Sequence, residues 1–328
     1  MPRRDLIVGI DFGGTKILAA VFNSRYKILG REKKETDAKA GVQRVIRRIA
    51  RCVFDSLDDA GASIRQVRAV GVGAPAPVDP DSGTILDAPN LGWKNIHLKK
   101  DLENILKVPV FVENDVNVGT LGEQQRGAAR GARSVCGIFI GTGIGGGIIL
   151  DGKIYGGFQH TAGEVGHMTL EATSSKKEAT GLRGTLEALA SRLAVNRDIR
   201  NEIKGGHKSA LAKTGSGNLS WIKSKALARA IKQHDRVATL VMERACHYIG
   251  IATANIIHVL NPEIIVLGGG VFEALGPFML PRTRKSAKAH TFAPCFKGVR
   301  IVGHALGDNA GVIGAAVYAR QRLQQRGR

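Results

Sequence analysis

Five clusters of residues have the types and spacing to act on a phosphate group or a polyol. The first is Asp11-Phe12-Gly13-Gly14-Thr15-Lys16. Glycines in a turn let backbone N–H groups approach phosphate oxygens. Thr15 adds a hydroxyl donor and Lys16 a positive charge, and Asp11 suits a magnesium ion held through water. A tight hairpin with a capping aspartate would use the same residue types. The second cluster, Gly141-Thr142-Gly143-Ile144-Gly145-Gly146-Gly147, places five glycines in seven residues. That exceeds what a turn requires and reads as a phosphate cradle, without Walker or Rossmann spacing. The third is Glu113-Asn114-Asp115, directly after the apolar run Val108 to Val112. Ligands collect at the carboxyl ends of strands in α/β folds, and a carboxylate there can accept the proton of an attacking hydroxyl. Asn and Asp are also favoured helix N-caps. The fourth joins Gly163-Glu164-Val165-Gly166-His167 with Leu186-Glu187. Two carboxylates and an imidazole can orient vicinal hydroxyls, although a lone histidine usually serves structure. The fifth is Gly268-Gly269-Gly270, suited to a nucleotide base and ribose lying against backbone.

The elements that must position these clusters follow from periodicity. Leu6 to Ile10 and Ile17 to Phe22 predict a β-hairpin around the first glycine turn, and Lys27 to Lys33 a third strand. Val135 to Ile140, the second glycine run and Ile148 to Leu150 repeat that pattern, with Lys153 to Tyr155 resuming after the Asp151-Gly152 turn. Two related units predict a duplicated architecture, each opening one domain with its glycine turn. Between them, Val45, Ile49, Val53 and Leu57 form one helical stripe. Val67 to Val72 and Val108 to Val112 read as strands, and Leu182 to Ile203, Ser224 to Val259 and Gly311 to Leu323 as helices. Ile264 to Leu267 reads as a buried strand, and residues 204 to 220 as a surface loop.

Composition narrows the class. Glycine numbers 42 of 328 residues, nearly double the usual level of roughly 7 %. It clusters at strand ends, where backbone meets ligands. No apolar run reaches the roughly 18 residues of a membrane span, and Asp11 and Gly13 interrupt the only apolar segment near the N-terminus, which excludes a signal peptide. The expectation is a cytoplasmic protein without a membrane partner. Four separated cysteines, none in a CxxC pair, predict free buried thiols. The net charge of +20 is spread over helix faces such as Arg44, Arg47, Arg48 and Arg51. It therefore predicts solvated surfaces and no specific nucleic-acid partner.

With these segments in order along nearly the whole chain, the sequence resembles the ROK family of sugar kinases and repressors. Gly73-Ala74-Pro75-Ala76-Pro77-Val78-Asp79, Ala88-Pro89-Asn90-Leu91-Gly92-Trp93 and Asp308-Asn309-Ala310-Gly311 complete the match. The resemblance implies an α/β, two-domain actin-like ATPase (ribonuclease H-like) fold with an interdomain active-site cleft. It implies a small domain of residues 1–115 joined by about 308–328, and a larger one of 116–307. Asp115 would be the general base. Ala76, Asn90, Asn114, Glu164, His167 and Glu187 would hold the sugar. Gly13, Gly14, Thr15, Lys16, Thr142, Gly143, Gly145, Gly268 and Gly269 would contact ATP, and Asp11 would act through Mg2+. The expected reaction is ATP-dependent phosphorylation of a hexose, glucose before mannose, fructose, N-acetylglucosamine or N-acetylmannosamine, by a homodimer. Polyphosphate is an alternative donor. A sugar-responsive regulator without a DNA-binding domain is an alternative of another class, since only ten residues precede Asp11.

Two departures stand out. Ala76 replaces the glycine of the family's Pro-Gly-Pro loop. Many members also carry CxCGxxGC before the Leu-Glu pair, whereas this chain reads Glu178-Ala179-Thr180-Gly181-Leu182-Arg183-Gly184-Thr185. Glutamate and threonine cannot replace three thiolates in a tetrahedral zinc site. The expectation is no zinc, His167 serving the sugar, and greater mobility over residues 171–181.

Overall fold

Alternation and β-branching place strands where the apolar runs lie. The computed structural model describes residues 5–88, 91–213 and 222–326. Its first elements are β1 (Leu6–Phe12), β2 (Lys16–Phe22) and β3 (Ile28–Glu35), an antiparallel meander. Helix α1 (Val42–Asp59) follows, burying Val45, Ile49, Val53 and Leu57 as its stripe requires. Strand β4 (Val67–Ala74) pairs parallel with β1. A small antiparallel sheet of β5 (Val78–Asp79), β6 (Thr84–Ala88) and β7 (Trp93–Ile96) precedes α2 (Leu98–Leu106). Then β8 (Val110–Asn114) pairs parallel with β4 and runs into α3 (Asp115–Arg126).

The second half contains β9 (Val135–Ile140), β10 (Ile144–Leu150), β11 (Lys153–Ile154), α4 (Leu186–Ala190), α5 (Arg192–Lys204), α6 (Ser224–Lys232) and α7 (Arg236–Leu260). It continues with β12 (Ile264–Gly268), α8 (Gly269–His290), α9 (Ala293–Phe296), β13 (Arg300–Gly303) and α10 (Asn309–Arg326). The two large sheets have orders β3-β2-β1-β4-β8 and β11-β10-β9-β12-β13. In each, antiparallel strands lie beside a contiguous parallel trio in the same sequence order, which is the duplication that the two hairpins predict.

Three helix expectations need correction. Leu182 to Ile203 is not one helix, because Ser191 is extended and caps α5 by accepting the Ala194 N–H. Ser224 to Val259 breaks at His234, whose φ is positive, and Asp235 caps α7 through the Ala238 N–H. Helix α8 escaped the sequence reading because Pro277 and Pro281 lie inside it. The thiols of Cys52, Cys136 and Cys246 are buried, and burial pushes each up to about 12.

Contacts divide the chain into one unit of Met1–Arg133, Gly147–Gly163 and Asp308–Arg328, and another of Ser134–Gly146 and Glu164–Gly307. Residues 116–133 and 147–163, expected in the second domain, group with the first. The reason is α3, which lies against α10 at van der Waals limits. A Cβ on Gly314 would fall 1.6 Å from the Val118 carbonyl oxygen, and one on Gly122 2.3 Å from that of Ala310. Helix α10 also covers the sheet closely, since Cβ atoms on Gly9 and Gly71 would fall 1.9 Å from the carbonyl oxygens of Val312 and Ala315.

Candidate active site

In the first unit, β1 ends at Phe12 and β2 begins at Lys16, leaving a three-residue turn. The Gly13 N–H donates to the Lys16 carbonyl (2.8 Å). Thr36 straps the turn, its hydroxyl donating to the Gly13 carbonyl (2.6 Å) and its N–H to that of Thr15 (3.1 Å). Gly14 and Thr15 are exposed, and a Cβ on Gly14 would touch nothing. Lys16 Nζ donates to Asp308 Oδ1 (2.7 Å), and this bond holds the Asp308 carboxyl below the usual carboxylate range. Asp11 lies against the first turn of α10, where a Cβ on Gly311 would come 2.9 Å from Asp11 Cγ. Burial raises the Asp11 pKa to about 6, opposed by Lys16 and assisted by Asp308. A cation opposite this carboxylate relieves that penalty. Gly311 leaves the room that the Asp11 side chain occupies, and the buried carboxylate fits a water-mediated magnesium anchor. Asp308 and Gly311 escaped assignment because they stand nearly the whole chain away.

At the β8–α3 junction, Asn114 is the N-cap of α3. Its Oδ1 accepts the N–H groups of Val116 and Asn117, and its Nδ2 donates to the Ala76 carbonyl (3.3 Å). Asp115 is the first residue of α3, at the positive end of the helix dipole, and its Oδ1 accepts the Val116 N–H (2.9 Å). Gly73 admits this turn, since a Cβ there would approach Val118 Cγ2 to 2.5 Å and Asp115 Cα to 3.2 Å. Behind it, buried Glu113 accepts from the Asn114 N–H (2.9 Å) and Asn117 Nδ2 (3.0 Å), and burial raises its pKa. Ala76 is buried and is not among the residues of positive φ, so alanine replaces the family glycine there without strain. Asn90 lies outside the described residues.

The second unit gathers Glu164, His167 and Glu187. Glu164 precedes and His167 ends a 3-10 turn, Val165–His167, which lies against β10. A Cβ on Gly166 would meet the Ile144 carbonyl oxygen at 2.0 Å. His167 Nε2 is 3.8 Å from Glu164 Oε2. Glu187 stands in the first turn of α4, and its Oε2 accepts the Ile144 N–H (2.7 Å). Burial raises the Glu187 pKa. The Ile144 N–H opposes, Glu178 and Glu164 push upward, and His167 pulls down. All four side chains are thus within electrostatic reach.

The second glycine run is reassigned in part. Only Gly141–Gly143 forms the turn, and Gly145, Gly146 and Gly147 are residues of β10. Gly143 makes room for Glu187, whose Oε2 would lie 2.2 Å from a Cβ there. Gly147 makes room for α3, since its Cβ would lie 2.4 Å from Thr120 Oγ1. Thr142 Oγ1 accepts from Arg192 (2.6 Å), and the carbonyls of Gly141 and Thr142 accept the first N–H groups of α5. Gly268 ends β12, and Gly269 opens α8 with φ +86°, where a Cβ would strike the Ile140 backbone at 2.5 Å. Residues 171–181 are cross-linked and not loosely held. Lys176 pairs with Asp198 (2.7 Å), the Gly184 N–H donates to the Lys176 carbonyl (2.9 Å), and Lys177 and Arg183 form a bridge.

The ROK family profile matches residues 7–322. The glucokinase of Thermotoga maritima is 34 % identical over 325 residues, covering 98 % of this chain and 99 % of that protein. A crystal structure of a ROK family glucokinase from Streptomyces griseus in complex with glucose and AMPPNP matches with a TM-score of 0.83 at 31 % identity, over 96 % of this chain and 99 % of that one. The xylose repressor of Caldicellulosiruptor bescii is 27 % identical over 308 residues, 94 % of this chain and 76 % of its own length.

Proposed function

The chain belongs to the ROK family and has its actin-like ATPase fold, and from that premise we propose that it transfers the γ-phosphoryl group of ATP to a hexose, glucose first. The observation that carries this reading is the gathering of Glu164, His167 and Glu187, directional partners for several hydroxyls of one sugar. Asp115 accepts the proton of the attacking hydroxyl while the phosphoryl group moves in line. The Gly13–Lys16 turn receives the phosphates, with Gly268 and Gly269 against the nucleoside. Lys16 then exchanges its Asp308 partner for phosphate oxygen. Asp11 would hold magnesium through water, which would neutralise phosphate charge when bound. Positioning and electrostatics provide the acceleration. Asp115→Asn lowers kcat by about two to four orders of magnitude, the range for loss of a general base. A folded variant with near-parent turnover overturns the role. Coupled assays over glucose, mannose, fructose and the N-acetylhexosamines, each with ATP and with polyphosphate, test the substrate.

A sugar-responsive regulator is the second reading, supported by the likeness to a xylose repressor. Sugar binding without phosphorylation by any donor would favour it. The homodimer rests on the resemblance and is tested by light scattering during gel filtration. Among the described residues, no helix is long and apolar enough to cross a membrane.

A further inference from the structure

Residues 178–185 stand where the resemblance leads one to expect cysteines, and Glu178 among them faces His167. Among the described residues, Nδ1 of His167 is buried and has no hydrogen-bond partner. The nearest acidic group is Glu178, whose Oε1 is 3.6 Å away. That side chain is only 2 % exposed. Its carboxylate otherwise receives the Thr180 N–H (2.8 Å) and the Thr180 hydroxyl. Its backbone is fixed by the Glu178 N–H to the Leu182 carbonyl and by the Gly181 N–H to the Glu178 carbonyl, both 3.1 Å. A rigid turn therefore holds a buried carboxylate facing a buried ring nitrogen.

The groups around Nδ1 do not fit zinc. One carboxylate and threonine hydroxyls stand in the segment where thiolates would be needed. They do fit a proton. A buried ring nitrogen without a partner is unfavourable, and an Nδ1–H donated to the Glu178 carboxylate, beside its two bonds from Thr180, satisfies it. The 3.6 Å separation exceeds a hydrogen bond, and contacts of this kind tighten when substrate binds.

We propose that Glu178 is a positioning residue that accepts the Nδ1 proton of His167 and so fixes the tautomer whose Nε2 is an acceptor. The inference rests on the reading of His167 as a sugar ligand. With Nε2 unprotonated, His167 and Glu164 are two adjacent acceptors for the protons of neighbouring hydroxyls. With the proton on Nε2, the ring donates to Glu164, 3.8 Å away, and that pairing removes both acceptors from the sugar. Glu178 takes the orienting part that a second partner plays for a ligating histidine.

The test compares the parent with Glu178→Gln and Glu178→Leu. Leucine raises the KM for glucose about 10-fold or more, the scale for loss of an orienting partner, while kcat and the KM for ATP stay near the parent's. Glutamine, whose carbonyl still accepts Nδ1–H, restores a KM close to the parent's. Nitrogen-15 spectra of the His167 ring show Nδ1–H in the parent and the glutamine variant, and Nε2–H in the leucine variant. An unchanged KM with an unchanged tautomer in the leucine variant overturns the proposal. So does one equivalent of zinc in the purified parent whose removal by 1,10-phenanthroline raises the KM. If the leucine variant does not fold, the parent's spectrum decides, since Nε2–H there refutes the role. If no sugar is phosphorylated, the kinase reading fails, and the ring spectrum still decides this one.

Discussion

Burial lifts the Asp11 pKa from 3.8 to about 6, so the folded state keeps its proton through a pH range in which the unfolded chain has released it. Folded protein then binds more protons than unfolded, and this group lowers stability as pH rises from about 4 to about 6, with no further change above. Asp11→Asn removes that loss. The urea midpoint of the variant relative to the parent climbs between those pH values and stays high at pH 8, while kinase activity falls. A constant offset across the range would show that Asp11 does not titrate there. Asp11, Asp115 and Glu187 could be singled out in the sequence because each stands in a short motif. The partners were not. Lys16 meets Asp308 292 positions away, and Glu178 was read as a missing thiolate and not as a present carboxylate. No local pattern announces a contact that only the fold creates.

Turns and helix ends convert such residues into a site. The glycine at 143 illustrates the difference between motif and element. Its sequence context pointed to phosphate, while its place in the turn before β10 sets it against Glu187. Gly143→Ala therefore raises the KM for sugar and leaves the KM for ATP near the parent's. The Glu187 carboxylate is the free end of a side chain and can yield, so the fold survives. The reverse split in steady-state kinetics would return Gly143 to the nucleotide. At Gly314 the obstacle is the Val118 backbone, which cannot yield. Gly314→Ala destabilises by about 1–3 kcal/mol or more, the scale of overpacking, measured by urea unfolding. Strand positions were readable from β-branched runs, and α1 from its stripe. The joints at Ser191 and Asp235 were not, because polar caps between two apolar helices leave the period almost undisturbed.

At the scale of the whole chain, one sheet order occurs twice, and the repetition was visible as two glycine hairpins in similar apolar settings. The return of residues 308–328 to the first unit was expected from the resemblance; what stayed hidden is that residues 116–133 and 147–163 belong to it as well. It takes residues 5–133 and 147–163 and is completed by α10. A ribosome delivers β1 long before that helix. Gly9 and Gly71, shaped to receive α10, wait for their cover on the order of ten seconds or more at ordinary rates of synthesis. Nascent chains arrested before residue 309 should resist protease across 164–307 and be cut within 5–133. Uniform resistance along the arrested chain would refute this order. Every newly made molecule thus matures from its middle outward, and an interrupted translation yields a product whose later segments are sound while its opening strands remain open to degradation.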